Sequence, residues 1–434
     1  MISSIELRLQ RPRRLFLATA VMALAACGGS GGGDAPPAPP PNALTPAPTP
    51  TPTPPPTPVL PPTPAPQPVP AVPHIAAGNG FSLALKTNGM VASWGDQGSG
   101  QLGNNVVTAS SQRVPQPVVN LTNARRVASG EFHAVALRAD GTVVAWGSNA
   151  DGKLGIGTFG GSFPTPQAVN GLTDVTAIAA GLDHTLALRS DGSVWAWGEN
   201  DACQLGQNDT TPRATATQVA GLANVTAVFS GGAHSLALRS DGAVFAWGFN
   251  ANGQLGLGTT VPAVCLPTRV TALDGRGVIE LAGGRFHTLA RTSLGAVLGW
   301  GSNSGGQTGS GTPGSGNVLS PTVIPNLLGV TALAAGETHS VALRNDGTIR
   351  TWGNGSAGRL GNGTSVATQS TATPQVPNVS TVKAISAGFN HTLVLLEDGR
   401  VGCFGSNFTS QCGRIEITDL TTPMEVGPGF NVNQ

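Results

Sequence analysis

The chain has 434 residues, with 61 Gly, 35 Pro, no Tyr and 10% charged side chains. That much glycine excludes a mainly helical protein, since each interior Gly costs a helix about 1 kcal/mol, and so few charges with so many apolar residues exclude a solvated disordered one. A formal net charge of +1 offers no electrostatic hold on nucleic acid.

Residues 1–27 read as an export leader. Arg8, Arg11, Arg13 and Arg14 form a basic start, and residues 15–26 form an apolar stretch too short to span a bilayer. Leu24-Ala25-Ala26-Cys27 resembles a bacterial lipoprotein signal, which implies a lipid on Cys27. Arg13-Arg14-Leu15-Phe16-Leu17 also resembles a twin-arginine export signal. With the leader's four Arg and one Glu set aside, 19 of the 23 bases face 21 of the 22 acids. The resulting net −2 argues against DNA, RNA or an anionic membrane as the main partner. Residues 28–73 read as a disordered tether, with 20 of the 35 prolines between Pro36 and Pro73. Such a segment favours extended polyproline II and reaches on the order of 100 Å. Gly28 stands where an Asp would resemble an inner-membrane retention signal, so an outer-membrane location facing periplasm or cell surface is expected.

Residues 74–434 repeat a single unit. Trp-Gly pairs begin at Trp94, Trp146, Trp197, Trp247, Trp300 and Trp352, and Phe404-Gly405 fills the seventh slot. Gly-x-x-His keeps the same phase at His133, His184, His234, His287, His339 and His391, with Phe81 in the first copy. Each unit contains short alternating apolar runs, an Asp-Gly or Asn-Gly hairpin turn, and a further strand marked by Pro-x-x-Val. Seven such units predict an all-β, seven-bladed propeller of four-stranded antiparallel blades. The branched residue of the fourth strand lies 12 residues before the marker Gly at Val118, Val169 and Val219. In the first copy that place is Pro66, inside the tether, while Pro423-Met424-Glu425-Val426 follows the last copy. This predicts a ring closed by a C-terminal strand that completes the first blade.

These markers, with Gly253-Gln254-Leu255-Gly256, resemble the regulator of chromosome condensation repeat family over essentially all of 74–434. The resemblance implies the seven-bladed propeller and protein binding through rim loops. It also implies several known roles: guanine nucleotide exchange factor, ubiquitin-pathway or light-sensing adaptor, and, in secreted bacterial forms, β-lactamase inhibitor. The chemistry is not common to the family, so the fold alone assigns none of it. No insertion aligns with an exchange-factor loop. The Gly-Gln-Leu-Gly signature is degraded at Cys203-Gln204-Leu205-Gly206, Gly306-Gln307-Thr308-Gly309 and Ser410-Gln411-Cys412-Gly413.

The six repeated His fall around a ring axis, too far apart to share one ion, and read as structural, as do the repeated Trp. Gly98–Gly103 matches the dinucleotide fingerprint only by letter, because no helix follows. Neither catalytic residues nor cofactor nor metal is expected. Cys203, Cys265, Cys403 and Cys412 are disulfide candidates with three possible pairings; Cys403 and Cys412 lie close enough to meet within one blade, which would leave Cys203 and Cys265 to join neighbouring blades. Between the marker Gly and His two residues vary by copy, and they place Glu131, Phe132, Asp183, Arg285, Phe286 and Phe389 on one rim as a candidate partner-binding face. The expected protein is a monomeric, lipid-anchored, non-enzymatic scaffold that binds another protein or an envelope component. The alternatives are an inhibitor of a secreted hydrolase and an exchange-factor-like regulator.

Overall fold

The computed structural model describes residues 71–72, 74–310, 316–365, 368–372, 375–427 and 429–434. The leader, Cys27 and all but the last residues of the tether lie outside them.

The first blade shows how each unit is built. Strands β1 (His74–Ala77), β2 (Phe81–Leu85), β3 (Val91–Gly95) and β4 (Gln112–Pro117) lie antiparallel in sequence order. Leu83 and Leu85 on β2 and Trp94 on β3 are fully buried, so the two middle strands carry the core while β4 stays largely open. The turn between β2 and β3 is held by Asn88, whose side-chain oxygen accepts from Met90 N at 3.0 Å, and Gly89 takes the φ of +78° the turn requires. Blades two to five repeat this four-stranded order from Ala124–Ser129, Val175–Ala180, Val225–Ser230 and Val278–Gly283 as their first strands. Blade six has three strands among the described residues, Val330–Ala335, His339–Arg344 and Ile349–Gly353, with Gln369 bridging Gly353 in the fourth position.

The C-terminal strand belongs to blade seven, not to blade one. Leu420–Glu425 pairs with Val401–Gly405 through Gly402–Glu425, Cys403–Met424 and Gly405–Leu420. The expected strand exchange fails because each fourth strand pairs with the Trp-Gly strand before it, not with the marker strand after it. Thus β4, ahead of the second copy's marker, completes blade one. The ring instead closes through hydrogen bonds between blades seven and one and through the tail. Phe389 N donates to Gly78 O at 3.3 Å, and Ala77 N donates to Ser386 Oγ at 3.0 Å. Beyond the last strand, Thr87 N donates to Val432 O at 3.0 Å, and Phe430 meets Trp94 edge-on with ring centroids 5.6 Å apart.

The first strands line a central channel of about 670 Å³. The turns joining first and second strands and the long loops joining third and fourth strands share one end, here called upper. The Asp-Gly hairpins lie at the lower end.

Candidate functional site

The upper end is set by contacts that join each blade to the next. His133 Nε2 lies 3.1 Å from Thr185 Oγ1, and the same pair recurs as His184–Ser235, His234–Thr288, His287–Ser340, His339–Thr392 and, across the closure, His391–Ser82. The hydroxyl spends its own proton on a backbone carbonyl of the Gly-Gln-Leu-Gly loop, as in Ser235 to Gln204 O at 2.7 Å. It is therefore free to accept, so the imidazole donates from Nε2–H and stays neutral. Burial holds the His184, His234, His287 and His391 imidazoles down at about 3, and pushes His133 and His339 well below their ordinary value. These six histidines are neutral structural latches. The indole N–H of Trp94, Trp146, Trp197, Trp247, Trp300 and Trp352 donates to the same loop carbonyls at 2.8–3.0 Å.

The departures from the repeat are matched in pairs. Where Phe81 replaces His, the partner on blade two is Ala134, and both are fully buried in one apolar cluster. A polar pair has become an apolar pair, leaving no buried group unsatisfied. Cys203 stands where the loop's first Gly packs against the next blade's fourth strand, as Gly152 does against Ala214; there it is disulfide-bonded to Cys265. Cys403 and Cys412 are bonded within blade seven. Each substituted position thus meets its neighbour by different chemistry.

The marker Gly of each blade faces the upper channel mouth. A Cβ on Gly130 would overlap the His133 ring and the Gly181 carbonyl. That close approach lets the following residues bond from blade to blade: Glu131 N to Leu182 O and Leu182 N to Gly232 O, both at 2.9 Å, and Arg285 N to Gly336 O at 3.2 Å. Side chains at this level pair from blade to blade. Around blades two and three, Glu131 accepts from Asn79 Nδ2 at 3.2 Å, and Asp183 pairs with the buried Lys153. Burial pushes the Glu131 carboxyl up. Burial, helped by Asp183, Asp151 and Asp201, raises Glu199 to about 7. Around blades five to seven, Arg285 pairs with Glu337 and lies over Phe286 at 5.1 Å and Phe389 at 5.6 Å. Phe286 also meets Phe249 with centroids 5.9 Å apart.

The structure therefore gathers Arg285, Phe286 and Phe389 into one half-buried stack and sets Glu131 and Asp183 across the mouth from it. Phe132 is half-buried at the same level. The open aromatic side chains lie elsewhere. Among the described residues, the exposed phenylalanines are Phe159 and Phe408, 56% and 65% exposed, both on upper loops between third and fourth strands. Ile415 and Ile417 stand on the Phe408 loop, and Val106 and Val107 on the corresponding loop of neighbouring blade one. Phe159 and Phe408 both fall outside the Gly-Gln-Leu-Gly signature of their loops, so no repeat marker points to them. Their signal was apolar residues in segments otherwise rich in Gly, Ser, Thr and Asn. No group of three or more His, Cys, Asp or Glu among the described residues is placed to hold a metal ion.

Comparison with known proteins bears on the whole ring. The chain matches the RCC1-like domain over residues 48–285, and the regulator of chromosome condensation (RCC1) repeat over 278–307, 330–359 and 382–413, with further matches at 295–343 and 346–395. Human HERC6, a probable E3 ubiquitin-protein ligase, is 36% identical over 369 residues, which cover 82% of this chain but only 30% of HERC6. The ultraviolet-B receptor UVR8 of Arabidopsis thaliana is 30% identical over 360 residues, 80% of this chain and 68% of UVR8. The crystal structure of Prp20p from Saccharomyces cerevisiae, described together with its binding to Gsp1p and histones, is similar with a TM-score of 0.66 at 25% identity over 73% of this chain and 80% of Prp20p. Seven blades, with a His latch at six junctions and a Trp latch at six, and these matches along their length make the chain a member of the RCC1 repeat family.

Proposed function

We propose that the chain is a non-enzymatic protein-binding propeller that engages its partner through the upper loops, and that a lipid on Cys27 and the proline-rich tether hold it at the cell envelope. The observation that carries this reading is the position of Phe159 and Phe408. Both exposed aromatics of the described residues stand at the upper end, the latter with Ile415 and Ile417 on its own loop. Aromatic anchors open to water beside a charged surface are the residues that dominate binding energy at protein interfaces. The inner rim of Glu131, Phe132, Asp183, Arg285, Phe286 and Phe389 forms the floor of this face, with ion pairs on both sides and the aromatic stack on one. Prp20p, similar over most of its length, is a propeller described with protein partners. The basic start, apolar stretch and Leu24-Ala25-Ala26-Cys27 support the anchored location.

Replacing Phe159 and Phe408 by Ala tests the face, with Leu294→Ala on a lower hairpin as control. Loss of a partner first captured by cross-linking on intact cells, in the upper variant alone, supports the reading; equal capture by both variants rejects it. Labelling with radioactive fatty acid tests the anchor separately, since Cys27→Ser should abolish the label.

A further inference from the structure

The lower end holds a second constellation, unrelated to the upper loops. A cavity of about 600 Å³ opens between the first three blades, and its wall includes Arg125, Arg126, Arg138 and His74. Repeat symmetry shows how unusual this set is. The residue paired with the one four places after the marker His or Phe is Ala177, Ala227, Ala332 and Ala384 in four blades, and in blade five it is Glu280, tied to Arg291. In blades one and two it is His74, opposite Leu85, and Arg126, opposite Leu137, so two polar groups stand side by side at the lower channel mouth.

Arg138 departs from the pattern as well. The arginines at the same place in three other blades are tied to carboxylates: Arg189 to Asp174 at 3.3 Å, Arg344 to Asp346 at 2.7 Å, and Arg239 to Asp241. Arg125, Arg126 and Arg138 have no ion-pair partner within 4 Å among the described residues. Two carboxylates share the wall. Asp140 is held by its own turn, accepting from Thr142 Oγ1 at 2.6 Å, and Asp174 is engaged by Arg189 and by Thr173 at 2.9 Å. Guanidinium charge is therefore in excess. His74 Nδ1, like Nδ1 of the six latch histidines, is shut off from solvent and has no hydrogen-bond partner.

We propose that this cavity binds a phosphate group, held by Arg125, Arg126 and Arg138 with His74 at its inner wall. Guanidinium forks match the oxygens of a phosphate two at a time, and three forks around one cavity suit a tetrahedral anion better than a planar carboxylate. Ala71 and Val72, the first described residues of the chain, line the same cavity. The phosphate it takes is either a lipid headgroup or a free phosphate. The site stands whether or not Cys27 carries a lipid.

Isothermal titration of the full chain with inorganic phosphate, and co-sedimentation with phosphatidylglycerol–phosphatidylcholine vesicles, test the site; both use the Cys27→Ser background, so that no lipid anchor contributes. Arg126→Ser with Arg138→Ser should weaken binding by about tenfold or more, because each substitution removes a charge-assisted contact. Loss in the vesicle arm assigns a lipid headgroup, and loss in the titration alone assigns free phosphate. Arg125→Gln, at an exposed position, makes the same comparison if the double variant melts early. Absence of arginine-dependent binding in both arms overturns the proposal.

Discussion

The junction between blades one and two is the place to test the latch directly. Phe81→His alone puts an imidazole N–H against the methyl of buried Ala134, where six other junctions offer a hydroxyl. An unpaired buried donor should cost about 1–3 kcal/mol. Ala134→Ser alone adds a hydroxyl able to donate to Gln101 O, which already accepts from Trp146 Nε1 at 2.9 Å. Its effect should stay within about 1 kcal/mol. Together the two substitutions rebuild the pair found elsewhere as His184–Ser235 at 3.0 Å. The double variant should therefore be more stable than the sum of the singles by about 1–3 kcal/mol. Urea unfolding followed by tryptophan fluorescence gives the four stabilities of the cycle. Additivity within about 0.5 kcal/mol would refute the latch as a cooperative pair.

The same contacts predict three further outcomes. Gly130→Ala should cost on the order of 3 kcal/mol or more, since its Cβ has nowhere to go between His133 and the Gly181 carbonyl, and an unchanged melting curve would contradict this. Stability should fall on acidification. The latch imidazoles stay neutral in the fold down to about 3, whereas the unfolded chain takes up protons below about pH 6.5, so their contribution is complete above that pH and is lost as pH falls toward the folded value. Glu199, raised to about 7, acts in the opposite sense, adding stability below its ordinary value that fades as pH rises through 7. With Glu131, also pushed up by burial, that makes two carboxyls against six imidazoles, so the urea midpoint should drop between about pH 7 and pH 5; a flat or rising midpoint would count against neutral latches. Cys203→Ser with Cys265→Ser should lower stability by about 2–4 kcal/mol, because the bond closes a span of 62 residues between neighbouring blades, and an unaltered urea midpoint under oxidising conditions would contradict that role.

Much of the ring is legible in the chain because each marker performs a local job. Gly-x-x-His is readable since its Gly admits no Cβ and its His reaches a fixed distance to the next blade. The Trp-Gly pair recurs since the indole must meet a loop carbonyl. Even the paired loss at Phe81 and Ala134 is visible once the residue after each marker His is read beside it: Ala134, Thr185, Ser235, Thr288, Ser340 and Thr392. The phase of the sheets was not legible. Val118 sits at a constant spacing from the following marker Gly, and spacing does not say which neighbour a strand bonds. Only the ladder assigns β4 to the blade behind it and Leu420–Glu425 to blade seven.

The candidate face was legible in part. The variable pair before each His does occupy one rim, because it lies in the turn between first and second strands of every blade. How open those residues are was not legible. Arg285 stacks on its neighbour Phe286 and on Phe389, and the second of these contacts joins blades distant in sequence. Phe408 and Phe159 sit in loops whose exposure depends on no periodic signal.

The protein-binding face is tested most directly by a photo-cross-linking side chain placed at Phe408 and, in a second variant, at Leu294, which is 93% exposed at the opposite end. Illumination of intact cells should give a specific protein adduct from position 408 and none from position 294. Adducts of equal yield from both positions, or from position 294 alone, would contradict a partner-binding face on the upper loops.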